Sequence, residues 1–306
     1  MLLAIGGILC YRNATEENNM EYILEICLDA IIDSIKLFPF LFVTYLAMEY
    51  LEHKTTSKTR EMVSKAGKMG PVLGGILGAV PQCGFSAAAS NLYAGRVISV
   101  GTLIAIFLST SDEMLPIMIS EKMSLILILQ ILLVKIVIGV GMGILVDVSL
   151  NLMKRQVAKG DIHHLCEHEH CHCEKSLVKS ALKHSLQILA FIFAISLILN
   201  AVVTSVGTQA LTNFVAKGNI ASVFLAALVG LIPNCAASVV ITELYLEHII
   251  STGAMLAGLL VGSGVGVLVV FRMNHHLKEN VMIVGFLYAT GVLFGLLFEL
   301  SGIHFF

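Results

Sequence analysis

Pro81-Gln82-Cys83-Gly84-Phe85-Ser86 returns 152 positions later as Pro233-Asn234-Cys235-Ala236-Ala237-Ser238, and both copies lie inside long apolar segments. A proline inside a membrane helix removes a hydrogen bond and frees backbone carbonyls. In both copies a thiol, a carboxamide and a hydroxyl stand beside that break. This is the chemistry of a binding site at membrane depth, present twice.

The rest of the composition agrees with that setting. Of 306 residues, 57% are hydrophobic and only 13% charged, about half the charged fraction of a soluble domain. Mean hydropathy is +0.89. Apolar runs of 20 or more residues recur, each able to cross about 30 Å of hydrocarbon. The expected class is an all-α polytopic integral membrane protein. Seven cysteines are too few and too scattered for a disulfide scaffold: three cluster with histidines, and Cys83 and Cys235 sit inside spans.

Eight apolar segments are expected, at about 22–51, 71–93, 97–120, 122–148, 182–206, 219–247, 252–272 and 279–303. A shift of 152 superimposes the second four on the first four. In the window 81–113, Pro81, Cys83, Ser86, Leu92, Tyr93, Ile98, Ser99, Gly101, Ala105, Leu108 and Ser111 are identical in the two copies. Gly139, Gly143 and Asp147 pair with Gly291, Gly295 and Glu299. Apolar bias alone does not align Pro, Cys, Ser, Tyr and Gly in one register, so the halves read as internal repeats. The expected organisation is an N-terminal extension at 1–20, a first membrane repeat at 21–150, a His/Cys-rich loop at 151–181 and a second repeat at 182–306. The apolar part of the extension is short and lacks a basic leader, and Met20 opens the first long apolar segment, so translation is expected to start near Met20.

Lys and Arg set the orientation. Lys54, Lys58, Arg60, Lys65 and Lys68 follow the first segment; Lys154, Arg155, Lys159, Lys175, Lys179 and Lys183 join the halves; Arg272 and Lys278 flank His275 and His276 in a third loop. All three loops are expected to be cytoplasmic. Segments 71–93 and 97–120 must then start inside and finish outside, so one of them enters and leaves on the same side. Pro81 divides 71–93 into two arms of about 16 Å at 1.5 Å per residue, and Pro233 does the same to 219–247. Each half thus has three crossings and one re-entrant hairpin. Three is odd, so the repeats are inverted, with broken helices around Pro81 and Pro233 as in secondary transporters.

The first hairpin is followed by Ser109-Thr110-Ser111-Asp112-Glu113-Met114-Leu115-Pro116; the matching place in the second half reads Gly262-Ser263-Gly264-Val265-Gly266. Each carboxylate in an apolar stretch costs about 2.5–3.5 kcal/mol on insertion scales, and Pro116 is expected to bend or open the helix. The candidate central site is Cys83, Cys235, Asp112 and Glu113, with Gln82, Asn234, Ser86, Ser238 and Ser111 completing a shell. Thiolates favour soft ions and carboxylates hard ones, which points to a borderline metal or a thiophilic metalloid. Cysteines in membranes also serve as small apolar packers, and Asp112-Glu113 also suits a helix end at the interface. Gly139/Gly143 and Gly291/Gly295 read as small-residue packing faces. Asp147 and Glu299 read as interfacial, with a gating role open. Lys36 and Lys135 are embedded cations whose partners the sequence does not name.

The central loop packs His163, His164, Cys166, His168, His170, Cys171, His172 and Cys173 into eleven residues. Imidazole and thiolate are zinc ligands, but the spacing is not that of a zinc finger. A cytoplasmic collector or sensor for a zinc-like ion is expected, with a solvated linker as the plain alternative. A collector on that side suits export.

The 81–96 run Pro-Gln-Cys-Gly-Phe-Ser-Ala-Ala-Ala-Ser-Asn-Leu-Tyr-Ala-Gly-Arg, Ser109-Thr110-Ser111-Asp112-Glu113, Pro233-Asn234-Cys235 and the His-rich loop resemble the bacterial ten-pass (10TM) heavy-metal exporters, over about residues 21–303. Members carry the labels arsenic efflux protein or manganese transporter. The resemblance implies efflux from the cytoplasm across a plasma membrane, as a multi-pass protein and not an enzyme. No nucleotide-binding Gly-x-x-x-x-Gly-Lys-Ser/Thr motif is present in the sequence, so alternating access coupled to protons is expected. No permanently bound cofactor is expected; the partners are the bilayer and the metal or metalloid, with no nucleic acid, and the sequence leaves the oligomeric state open. Two alternatives remain at this point: a carrier for a small thio- or oxyanion loading at positive half-helix ends, and a membrane thiol redox protein or sensor.

Overall fold

The structure, a computed structural model, describes residues 69–80, 83–111, 114–152 and 219–302, with scattered helical positions between 38 and 46 and between 182 and 198. Among the described residues there is no strand. The continuously described residues form ten helices: α1 (Gly70–Gly78), α2 (Cys83–Ala94), α3 (Val100–Ser109), α4 (Met114–Ser120) and α5 (Leu125–Leu152), then α6 (Asn219–Gly230), α7 (Cys235–Leu246), α8 (Thr252–Val261), α9 (Gly266–Met273) and α10 (Leu277–Ser301).

Among the described residues, four stretches are long and apolar enough to cross a membrane: Val100–Ser120, Leu125–Leu152, Thr252–Met273 and Leu277–Ser301. The first and third are 75% and 72% buried inside the protein, the second and fourth only 33% each. The α3–α4 and α8–α9 stretches are therefore the inner elements, and α5 and α10 the outer ones. On α5, Leu129, Leu133 and Val137 stand exposed at helical spacing, an apolar stripe suited to lipid. The chain is a polytopic helical membrane protein.

Helix bounds recur at the same offset as the sequence motifs. Shifted by 152, α2 takes the bounds of α7 and α3 those of α8, while α1 ends, and α4 and α5 begin, where α6, α9 and α10 do. Local chemistry recurs as well. Ser99 caps α3 by accepting from Thr102 N at 3.0 Å, and Ser251 caps α8 by accepting from Ala254 N at 3.2 Å, so each hydroxyl satisfies an amide with no partner inside the helix. Helices α2 and α7 both end on a left-handed residue, Arg96 (φ 55°) and His248 (φ 58°). The closing bonds correspond: Arg96 N to Tyr93 O (2.8 Å) and Val97 N to Leu92 O (2.8 Å), against His248 N to Tyr245 O (3.0 Å) and Ile249 N to Leu244 O (2.9 Å). This is the Schellman pattern, made here without glycine.

Packing follows a crossed scheme. Within the halves, α3 lies on α1 and α5, as α8 lies on α6 and α10. Gly139 and Gly143 face the backbone of Ala105 and Gly101, and Gly291 and Gly295 face that of Ala257 and Gly253. A Cβ on Gly139 would stand 2.8 Å from Ala105 O, and one on Gly295 would stand 2.8 Å from Gly253 O. The glycines are close-packing faces, as their spacing suggests. Between the halves, α2 packs on α9 and α7 on α4. One apolar cluster joins Met114, Met118 and Ile131 to Ile241, Leu244 and Met255; another joins Tyr93, Leu103 and Phe107 to Leu256, Val270 and Leu287. Each half therefore completes the core of the other.

Pro116 lies in the first turn of α4. A first-turn amide has no partner inside the helix, so proline costs no bond there. The interruption falls before it: α3 ends at Ser109 and α4 begins at Met114.

Candidate functional site

Two inner helices stop short at matching places. Thr110 ends α3 with φ −55° and ψ 131°, and Gly262 ends α8 with φ −65° and ψ 91°. Each leaves terminal carbonyls without helical partners. On α3 the side chains fold back onto earlier carbonyls: Ser109 Oγ donates to Ala105 O at 2.8 Å, Thr110 Oγ1 to Ile106 O at 2.7 Å and Ser111 Oγ to Ser109 O at 3.1 Å. The α8 end has Val261 and Gly262 in place of Ser109 and Thr110, and neither carries a hydroxyl.

Lys135 joins the two ends. It is the eleventh residue of the 28-residue α5 and is 1% exposed, about 15 Å from the start of the helix at 1.5 Å per residue. Its Nζ donates to Thr110 O and, at 2.9 Å, to Leu259 O. An ammonium buried this deeply needs compensating negative charge. The C-terminal ends of two helices supply part of it, since each carries the equivalent of about −0.5 charge.

Beside this meeting point lies a small cavity, with room for roughly one water-sized guest, lined by Ser111, Lys135, Asn234, Ser238 and Gly262 among others. Asn234 stands at the break between α6 and α7, where residues 231–234, including Pro233, separate the helices. Its side chain caps α7 by accepting from Ala236 N at 3.2 Å. The N-terminus of α7 and the C-termini of α3 and α8 thus converge on one cavity, with a cation in its wall.

Of the residues singled out from the sequence, Ser111, Asn234 and Ser238 line this cavity. Ser86 is fully buried in α2, against α9, where a Cβ on Gly266 would stand 2.9 Å from Ser86 Cβ. Ser90 Oγ lies 2.7 Å from Ser86 O and 2.8 Å from Gly266 O, so that interface is closed. In the matching interface the counterpart of Gly266 is Met114, which lines the cavity beside Ser238. Cys83 and Cys235 open α2 and α7; their side chains, with Pro81, Gln82, Asp112, Glu113 and the loop residues His163, His164, Cys166, His168, His170, Cys171, His172 and Cys173, lie outside the described residues. Among the described residues, no group of three His, Cys, Asp or Glu side chains is placed to hold a metal ion.

Sequence reading noted Lys135 but not what it touches; a lysine between the uncharged apolar runs 131–134 and 136–146 was the available signal. It missed a second cluster altogether. Glu279 Oε2 accepts from Arg96 Nη2 at 2.9 Å, Tyr93 OH at 3.1 Å and Asn274 Nδ2 at 3.3 Å, and Asn274 and Asn280 bond each other at 2.7 Å. Asp147 and Glu299 also gain a role. Asp147 accepts from Ser99 Oγ at 2.6 Å and Gly101 N at 2.9 Å, which fixes it to the start of α3, and Glu299 stands against Gly253 at the start of α8.

A family model described as "Putative, 10TM heavy-metal exporter" matches residues 18–208. No curated protein and no solved structure matches the chain. The family match covers more than half of the sequence and takes in α1 to α5, with the interrupted α3 and Lys135. The chain belongs to the ten-transmembrane heavy-metal exporter family.

Proposed function

We propose that the chain exports a heavy-metal ion or metalloid from the cytoplasm by alternating access, coupled to protons. The observation that carries this reading is the convergence of interrupted α3 and α8 on one buried cavity beside the α6–α7 break, the arrangement by which secondary transporters build midplane sites. The crossed packing and the recurrence of helix bounds at 152 support two inverted repeats with re-entrant hairpins around Pro81 and Pro233. The distribution of Lys and Arg supports a plasma-membrane orientation with the central loop in the cytoplasm. Cargo is held by Cys83, Cys235, Asp112 and Glu113, assisted by Gln82, Asn234, Ser238 and Ser111, while Ser86 serves the closed α2–α9 interface. Arsenic, manganese or a similar divalent cation fits this mixed donor set. The loop from His163 to Cys173 collects a zinc-like ion on the loading side.

The test is tolerance to arsenite, manganese, zinc and cadmium, together with cellular metal content, in cells carrying the wild type, Cys83→Ala or Asp112→Asn. The wild type should lower the content of at least one of these elements, and both variants should lose that effect. Identical tolerance and content with all three proteins and with empty vector would exclude export of these elements.

A second reading has one specific observation in its favour. Lys135 and the N-terminus of α7 both face the cavity, and a cation beside the positive end of a helix suits a small thio- or oxyanion. Competition of anions against metal cations in vesicle uptake separates the two.

A further inference from the structure

The meeting of two helix C-termini on one lysine carries an inference that does not depend on what the protein exports. Thr110 O and Leu259 O belong to the last turns of α3 and α8, and the terminal partial charges of two helices sum to about −1. Carbonyl oxygens at interrupted helix ends, buried and pointing at one place, form the ligand set that membrane proteins use for alkali cations. Here the place is taken by Lys135 Nζ, bonded to both oxygens. The Ser111 hydroxyl and the adjoining cavity offer a further oxygen and some room.

The offset of 152 sharpens the argument. The counterpart of Lys135 is Leu287, which is fully buried. One ammonium therefore serves both helix ends, and the pseudo-symmetric position supplies no second charge. We infer that the junction of α3 and α8 is an oxygen-lined site for a monovalent cation, filled in the native chain by the tethered ammonium of Lys135. Removing the ammonium leaves two negative helix ends buried beside the cavity, and a sodium or potassium ion then becomes the group that completes them.

The test uses the purified full-length protein in lipid nanodiscs. Thermal unfolding midpoints of wild type and Lys135→Met are compared in sodium, potassium and choline chloride at equal ionic strength. The wild-type midpoint should be the same in all three salts. Lys135→Met should unfold earliest in choline and be raised, with saturation, by sodium or potassium, by roughly 2–4 °C for each tenfold in salt above half-saturation. Lys135→Gln, whose amide still donates to one carbonyl, should show a smaller dependence. A Lys135→Met midpoint indifferent to the choice of cation would overturn the inference, as would a wild type with the same dependence. Failure of both variants to fold in every salt would overturn it too, because an ion able to fill the site should restore the fold.

Discussion

Arg96 and Glu279 lie 183 residues apart in sequence and are joined by a 2.9 Å ion pair that ties the end of α2 to the start of α10. Tyr93 and Asn274 bond the same carboxylate oxygen. The pseudo-symmetric positions hold different residues: Arg96 is replaced by His248 and Glu279 by Leu127, and Glu243 there is repelled by Glu247 and Glu121. The end of the molecule that holds Arg96 and Glu279 is thus latched by charge. The Arg96 and Glu279 side chains are 16% and 43% exposed, which limits the pair to about 0.2–1 kcal/mol. Arg96→Gln should therefore shift the balance between closed and open forms by no more than about fivefold. Maleimide labelling of a cysteine placed at Ser111, read from the side of the Lys278 loop, should quicken within that bound. An unchanged rate would mean that the pair is no latch.

The glycine faces predict a positional contrast. Gly143→Ala and Gly295→Ala put a methyl group into the backbone of a neighbouring helix and should lower stability by about 1–3 kcal/mol. At Gly141 and Gly285 an added methyl would meet nothing within 4 Å. Alanine at either should be neutral, or stabilising by up to about 1 kcal/mol through helix propensity. Denaturation midpoints for the four variants settle the contrast; equal losses at all four would refute it.

Asp147 is expected to act through the start of α3. Asp147→Ala leaves Ser99 Oγ and Gly101 N without their acceptor and should cost about 1.5–3 kcal/mol, the range for bonds to a charged group. Asp147→Asn retains an acceptor and should cost less. Ser251→Ala at the matching cap of α8 should cost about 1 kcal/mol. If Asp147→Ala proved as stable as wild type, the carboxylate would have to be assigned another role.

Deleting 163–173 should lower the number of zinc ions bound by the purified protein, measured by equilibrium dialysis, while leaving metal tolerance of the host measurable though altered in its threshold. Complete loss of tolerance would make the loop part of the translocation path instead of a collector.

The class, the segments among the described residues and the offset of 152 were legible because they rest on identities that sequence records: proline, cysteine, serine, tyrosine and glycine in one register; the expected segments 22–51 and 182–206 lie largely outside the described residues. The glycine faces were legible for the same reason. Lys135 was visible as an embedded charge, yet its partners were not. Thr110 O and Leu259 O are backbone atoms, and any residue at those places would present the same carbonyl. The Arg96–Glu279 tie was hidden because Arg96 reads as a loop charge at the end of an apolar run. Only the crossed packing of α2 on α9 brings it near Glu279. Pro116 misled in detail: the residue that marks a break in sequence sits just past the break in space, where a first helical turn accepts it.

The crossed cores limit how such a molecule can move. A cut at the central loop would divide the chain into its two repeats but would leave each fragment missing the side chains that fill its own interior. Sequence halves are therefore not mechanical halves. Whatever part slides or tilts must be a composite, with α2 travelling alongside α9 and α7 alongside α4.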